Sequence, residues 1–384
     1  MHNSSLRPEH IRESNIRLVL AAALGANEPA SRAKISSTTG ITRATVSRLA
    51  DELVDAGILD ELPPPPATGP GRPALGLVGS SRVIGIGADI DVDALRVRAI
   101  DLGGNHIALQ SHFDNFSGSN PEKVIQILIK MLNKIVRELP SNTRIFGPVV
   151  AVPGLVEQNS NLLLDAPNLG WQDVDVCTPI KEAFSDTHHR SVLSQPVLHN
   201  EANLSALTAA FSRPGAPTKF RHFVYISGGT GIGAAIFNEG KLWGGANGWS
   251  GEIGHLTIDP NGPVCRCGST GCLERYIGRE ALTYAFKVDH TNPAQLDASA
   301  RALGISIAAL VNLLDIPQFV LGGQLSELLA RRRQLIETEL QRRSMAARRT
   351  SIAIQSAKLG EDAASLGAAY ASLTKLIAEP AAYL

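Results

Sequence analysis

Three of the chain's four cysteines fall within "SGEIGHLTIDPNGPVCRCGSTGCLE" (250–274). The spacing is His255-x9-Cys265-x-Cys267-x4-Cys272. Three thiols and an imidazole suit tetrahedral zinc, and the "GST" turn with Gly271 lets the backbone wrap tightly enough to present the sulfurs. Whatever this chain folds into, these residues must close around one point. A full set of four ligands leaves no position for water, so the expected ion, Zn2+, is structural and performs no chemistry itself. Cysteines clustered in this way do not suggest a disulfide framework.

A second constraint is a break. "LPPPPATGPGRPAL" (62–75) is too rich in Pro and Gly for a helix or a central strand. It divides 384 residues, enough for two or three domains, into a head with its ribbon (1–80) and a long α/β body (81–384). Formal net charge is zero, so the overall balance names no anionic partner. The distribution is uneven. Between Met1 and Ala50, Arg7, Arg12, Arg17, Arg32, Lys34, Arg43 and Arg48 stand against Glu9, Glu13 and Glu28, which fits a phosphate-binding module.

The head reads as three helices. The first covers roughly 8–24. Ser31 caps a short second helix ending near Gly40. Thr42 caps a third, in which Val46, Leu49, Leu53 and Ile58 form an apolar face. The opposite face carries Arg43, Thr45, Ser47 and Arg48. A short helix, a glycine turn and a helix polar at its start make the helix-turn-helix layout, whose second helix meets base edges in the major groove. "ILDEL" and "ALGLV" read as a two-stranded wing with Arg72 at its tip. The candidate DNA contacts are therefore Ser31, Thr42, Arg43, Thr45, Ser47, Arg48 and Arg72, with Asp51, Glu52, Asp55, Asp60 and Glu61 facing away. A plain helical dimerisation module is the alternative.

The body opens with the strand-like runs "VIGIGADI", "ALRVRAIDL" and "HIALQSHF", then a helix at "PEKVIQILIKMLNKIVREL" and a strand at "IFGPVVAVPG". "HFVYISGGTGIGAAIFNEGKLW" begins the pattern again, followed by a helix near 300–314 and a strand at "QFVLGG". Two copies imply two similar lobes with a cleft between them. "LVLAAALGA", flanked by Arg17 and Glu28, is too short to span a bilayer, so the expected compartment is the cytoplasm and no membrane partner is expected. Cys177 reads as a packing residue and His188-His189 as a polar loop that needs no metal. Arg331 to Arg333, Arg342, Arg343, Arg348 and Arg349 read as a solvated or dimer-rim face, with a second DNA contact as the alternative.

"GEIGH" followed by "CRCGSTGCLE" resembles the signature of the ROK family, which comprises bacterial sugar kinases and sugar-responsive repressors. The resemblance covers the body from about residue 83. The head with "GPGRPAL" is similar to the repressor branch, which includes xylose and N-acetylglucosamine repressors. The family implies an α/β fold: an N-terminal winged helix-turn-helix and a two-lobed, actin-like ATPase body with a structural zinc. It also implies a sugar pocket in the cleft. Carried over by position, the sugar ligands are Asn168, Asn200, Glu201, Glu252, His255 and Glu274, with His255 also binding zinc through its other ring nitrogen. The implied partners are a double-stranded operator, bound as a homodimer or homotetramer, and a small sugar effector.

Two departures from the kinase pattern bear on catalysis. The family's kinases carry Asp, as base, at the position of Glu201. The extra methylene moves the carboxylate by about an ångström, which can cost on the order of 10² in rate. Their first phosphate loop reads Asp-x-Gly-Gly-Thr, whereas here it reads Asp89-Ile90-Asp91-Val92-Asp93. Glycines that admit phosphate are gone, and carboxylates that repel it stand in their place. The second Gly-rich turn, Ser227 to Gly233, survives and reads as an inherited hairpin. The expected protein is a repressor and not an enzyme. The alternatives are a hexose kinase carrying a DNA-binding head, or a regulator answering to a protein or a phosphorylated sugar.

Overall fold

The structure, a computed structural model, describes residues 8–63, 75–157, 159–185, 195–360 and 362–384. Arg72 and His188-His189 lie outside the described residues.

The head contains α1 (Pro8–Gly25), α2 (Arg32–Thr39) and α3 (Arg43–Asp55). The ribbon strands β1 (Leu59–Leu62) and β2 (Gly76–Gly79) pair antiparallel. The caps are those expected. Ser31 Oγ accepts from the Lys34 amide at 3.2 Å and Thr42 Oγ1 from the Thr45 amide at 3.3 Å, each contributing about 1 kcal/mol. Gly40 closes α2 at φ 74°, a conformation that strains any residue with a Cβ. Val46, Leu49, Leu53 and Ile58 are fully buried against Ile16, Val19 and Leu20 of α1. The head therefore fits a helix-turn-helix with a β-ribbon.

The first lobe runs β3 (Val83–Ile90), β4 (Ala94–Asp101), β5 (His106–Phe113), α4 (Pro121–Glu138) and β6 (Arg144–Val152). A small sheet of β7 (Leu155–Glu157), β8 (Leu162–Ala166) and β9 (Trp171–Asp175) follows. Then come α5 (Cys177–Ser185), β10 (Val197–Asn200) and α6 (Glu201–Ala210). A short hairpin, β11 (Phe211–Arg213) with β12 (Ala216–Pro217), leads to the second lobe. That lobe has β13 (Phe223–Gly228), β14 (Ile232–Asn238), β15 (Lys241–Trp243), the cysteine loop, α7 (Glu274–Ile277), α8 (Arg279–Val288), α9 (Pro293–Leu314), β16 (Gln318–Leu321), α10 (Leu325–Arg343) and β17 (Ala353–Ser356). The chain closes with α11 (Ala363–Ser372), α12 (Thr374–Ala378) and the 3-10 turn Pro380–Tyr383.

The two large sheets have one topology. Their orders are β10-β6-β3-β4-β5 and β17-β16-β13-β14-β15. In each, an antiparallel meander of three strands is extended by two parallel strands. This is the expected two-lobed, actin-like body. Parallel strands need crossovers, and α4 and α9 supply them. The apolar stripe of α4, including Leu128, Leu132 and Ile135, is buried on the first sheet. α9 has the length and composition of a membrane span, yet Leu303, Ile307 and Val311 lie in the second lobe's core.

The last helix of each lobe crosses to the other. α6 follows the first sheet but lays Ala206 and Ala210 on Phe223, Tyr225, Ala235 and Phe237 of the second. α11 follows the second sheet but packs on β3 and β6 of the first. The two helices meet where Gly367 faces Leu204, so closely that a Cβ there would lie 1.8 Å from the Leu204 carbonyl oxygen.

The Pro/Gly break does not make the head a free appendage. Ile16, Leu20, Leu49 and Leu53 share one core with Val83, Ile100 and Phe146 of the first lobe and with Leu373 and Leu376 from the chain's end. Arg144 of β6 donates to the carbonyl of Ala56, the C-cap of α3, at 2.7 Å, and to that of Tyr383 at 3.0 Å.

Gly367→Ala is expected to force α6 and α11 apart and to cost roughly 1–3 kcal/mol, the usual penalty of overpacking. Urea unfolding of the variant beside the wild type measures this, and an unchanged midpoint would contradict the close crossing.

Candidate functional site

The cleft between the lobes encloses about 310 Å³. Its first-lobe wall is made by the ends of β3 and β10, the Pro153–Leu155 corner and the Ala166–Asn168 turn. Its second-lobe wall is made by the Ser227–Gly233 turn, the cysteine loop and the starts of α7 and α8. Asn168, Asn200, Glu201, Glu252, His255 and Glu274 all line this one cavity, although they span more than a hundred positions of sequence.

Each is held by a local device. Asn200 caps α6, its Oδ1 accepting from the Ala202 amide at 2.9 Å while its Nδ2 donates to the Gly154 carbonyl at 3.0 Å. Glu201, on the next position, accepts from Ser205 Oγ at 2.9 Å and from Ser227 Oγ at 2.7 Å. Burial pushes its carboxyl above the usual range; Asp91 adds to the shift and the two hydroxyls oppose it. Glu252 is also raised, by burial first, with His255 opposing and Glu274 adding. Glu274 accepts from the Ile232 amide at 3.1 Å. Asn168 Oδ1 accepts from Arg266 at 3.3 Å. A side chain at Gly231 would fall 2.7 Å from Asn168 Nδ2 and 2.9 Å from Glu274 Oε2, so glycine is what lets these two groups approach the turn.

Amides, carboxyls and an imidazole facing a small enclosed volume can donate to and accept from neighbouring hydroxyls. Such a buried polar set disfavours any occupant that leaves it unpaired.

One histidine and three cysteines close the floor. The ligand atoms of His255, Cys265, Cys267 and Cys272 all lie within 4.8 Å of one another. Cys267 and Cys272 Sγ are 3.8 Å apart, and His255 Nδ1 is 3.9 Å from Cys265 Sγ. A tetrahedral ion with metal–sulfur bonds of about 2.3 Å requires sulfurs about 3.8 Å apart. Burial, with the neighbouring thiols, pushes Cys272 up to about 12, so thiolates this close need a cation among them. The donor set fits a closed metal site. Because Nδ1 faces the sulfurs, His255 presents the other edge of its ring to the cavity it lines.

The altered first loop has a partner. Asp93 accepts from Arg279 Nη1, and Asp91 lies 3.9 Å from Arg279 Nη2. Arg279 begins α8, so these pairs join the two lobes across the cleft. Asp89 is 2% exposed, lies 3.2 Å from Arg96, and has its second oxygen buried without a hydrogen-bond partner among the described residues. Burial and then Asp91 hold its carboxyl well above the usual range. The Ser227–Gly233 turn joins β13 to β14 as a hairpin and also lines the cavity.

In the head, Arg43 is exposed at the start of α3, while Thr45 shares its hydroxyl with the Thr42 cap at 2.9 Å. Ser47 is half-buried. Arg48 is exposed and paired with Glu52 at 2.7 Å. Asp51 and Glu52 bind Arg32 and Arg12, so these acids tie the head's helices together. Cys177 is packed in the first lobe's core. The arginines of α10 are tied into ion pairs, Arg331 and Arg332 with Asp289 and Arg342 and Arg343 with the buried Glu339.

Arg266, Arg279 and Ser227 were not singled out as site residues by their sequence context. Arg266 stands between two expected metal ligands, which is the one signal that could have marked it.

A profile of the ROK family matches residues 86–375. A xylose repressor of Caldicellulosiruptor bescii is 29% identical over 96% of this chain and 98% of its own length. A crystal structure of a ROK family transcriptional regulator, a homolog of the E. coli MLC protein, superposes at a TM-score of 0.75 and 21% identity, covering 97% of this chain and 99% of that one. A ROK family glucokinase from Streptomyces griseus, solved with glucose and AMPPNP, superposes at 0.59 and 22% identity, covering 75% of this chain and 97% of its own.

Elemental analysis of the purified chain is expected to find one metal ion bound per chain. Cys272→Ser is expected to lose it and to melt at a lower temperature. A metal-free wild type that melts as high as the loaded one would refute the closed site.

Proposed function

The chain belongs to the ROK family, and we propose that it is a sugar-responsive, DNA-binding transcriptional regulator acting as a repressor in the cytoplasm. The observation that carries this reading is the meeting, in one interlobe cavity, of Asn168, Asn200, Glu201, Glu252, His255 and Glu274, in a body fused to a helix-turn-helix head. The cavity residues would hold a sugar's hydroxyls. Zinc on His255, Cys265, Cys267 and Cys272 would fix the imidazole's orientation and the loop that brings in Glu274. Residues 1–80 would serve as the DNA-binding unit and 81–384 as the effector-binding body. Ser31, Thr42, Arg43, Thr45, Ser47, Arg48 and Arg72 would face the duplex, with two heads of a homodimer on two half-sites.

A repressor needs no phosphoryl transfer, and two observations favour its absence. Glu201 is engaged by Ser205 and Ser227 rather than free beside a hydroxyl. The first loop binds Arg279 through Asp93 in place of phosphate. A sugar touching both walls stabilises the closed arrangement of the lobes and so shifts the population toward it.

Calorimetry with D-xylose, D-glucose and N-acetyl-D-glucosamine, each with and without Mg-ATP, tests the reading. One sugar should bind, Asn168→Ala and Glu252→Gln should each weaken it roughly tenfold or more by leaving polar groups unpaired, and no ADP should form. Steady sugar-dependent ADP release would establish a kinase instead. Against a selected operator at fixed salt, Arg43→Ala is expected to cost roughly 1–3 kcal/mol; an unchanged affinity would remove Arg43 from the DNA face.

A further inference from the structure

α6 spans the distance from the cavity to the head. Its first turn carries Asn200 and Glu201 into the cleft. Its middle lies between the lobes, with Leu204 against Val149, Ala151, Ala364 and Ala368 on one side and Ala206 and Ala210 against the second sheet on the other. Its far end is fastened to the β11–β12 hairpin. Thr218 donates to the Ala209 carbonyl through Oγ1 at 2.7 Å and to the Ala210 carbonyl through its amide at 2.8 Å.

That hairpin grips the head. Arg213 Nη2 donates to the carbonyl of Leu24 at 3.0 Å and also to that of Ala26, at the end of α1. Gly215 lies against Leu24, and Phe211 packs on the head's core. The last turn of α1 has no basic residue of its own, so Arg213 supplies the positive charge that a helix C-terminus favours. α1 in turn is packed on α3 through the core they share.

The head is therefore held from two directions. Arg144, on the first sheet, holds the end of α3. Arg213, in the hairpin that follows α6, holds the end of α1, and the C-terminal half of α6 rests on the second sheet through Ala206 and Ala210. A shift of α6 along α11 at Gly367 would move one of these attachments relative to the other.

We propose that Arg213 is a positioning residue for the response to effector: by fastening α1 to the hairpin at the end of α6, it turns a shift of α6 on effector binding into a reorientation of α3. The inference rests on the regulator reading above.

The test uses full-length protein, an operator duplex selected from random sequence by the wild type, and whichever sugar of the calorimetric panel binds. Anisotropy at fixed salt gives operator affinity with and without sugar. The wild type should show a sugar effect within the range of roughly 5–150-fold usual for coupled sites. Arg213→Gln should keep its sugar affinity and its sugar-free operator affinity, while the sugar effect falls below about twofold. Arg213→Lys, which keeps the charge and can reach one carbonyl, should restore part of it. A glutamine variant with the full wild-type response would overturn the proposal. If that variant does not fold, the lysine variant decides, and undiminished coupling there would overturn it equally. A wild type that binds operator but answers to no sugar would instead overturn the regulator reading itself.

Discussion

The body depends on the contact between α6 and α11. Each lobe has a core of its own on one face of its sheet, and the two helices fill the space between the sheets, α6 touching both and α11 packing on the first. Small residues make the close approach possible. At the crossing α11 presents Ala364, Gly367 and Ala368 to Leu204 of α6, while Ala206 and Ala210 of α6 lie on the second sheet. Backbones that approach this closely leave little room for intermediate positions, and a packed interface of this kind favours discrete arrangements over gradual deformation. The cavity sits at one end of the crossing because Asn200 and Glu201 begin α6.

The electrostatics of the cleft follow from the same geometry. Asp89, Asp91 and Glu201 stand together on the first-lobe wall of the cleft, and the carboxyls of Asp89 and Glu201 are raised by burial first and then by their neighbouring carboxylates. The cleft relieves this in three ways. Arg96, itself buried, pairs with Asp89 at 3.2 Å. Ser205 and Ser227 hydrogen-bond to Glu201. Arg279 reaches across to Asp91 and Asp93. Asp91 and Asp93 thus join the two lobes through Arg279.

Much of the fold was legible because it is written in local periodicity. Ser31, Gly40 and Thr42 mark helix ends by the hydrogen bonds their residue types can make, and α4 declares its apolar face every three or four residues. The strand runs at 83–113 and at 222–243 were equally plain. α6 and α11 were not legible. "EANLSALTAA" and "AASLGAAYAS" are built mostly of small residues, with buried positions that include Asn203, Ser205 and Ser365, and so carry little periodic apolar signal. The site's membership came from a motif, whereas its geometry did not. Nothing in the spacing of Arg279 and Asp93, 186 positions apart, announces that they meet. The same holds for Arg144 and Arg213, whose partners are backbone carbonyls and leave no trace in sequence.

The Pro/Gly segment joins the paired strands β1 and β2 of the ribbon and does not set the head apart from the body. Instead the head's core is completed by β3, β4 and β6 and by the last two helices of the chain, so residues at both ends of the sequence share one apolar cluster. Burying Leu20, Leu49, Leu373 and Leu376 together at about 25 cal/mol per Å2 of apolar surface opposes any detachment of the head. Among the described residues, cavity and head are joined by packed helices, and the hydrogen bonds of Arg144 and Arg213 to helix ends fasten α3 to the first sheet and α1 to the hairpin after α6.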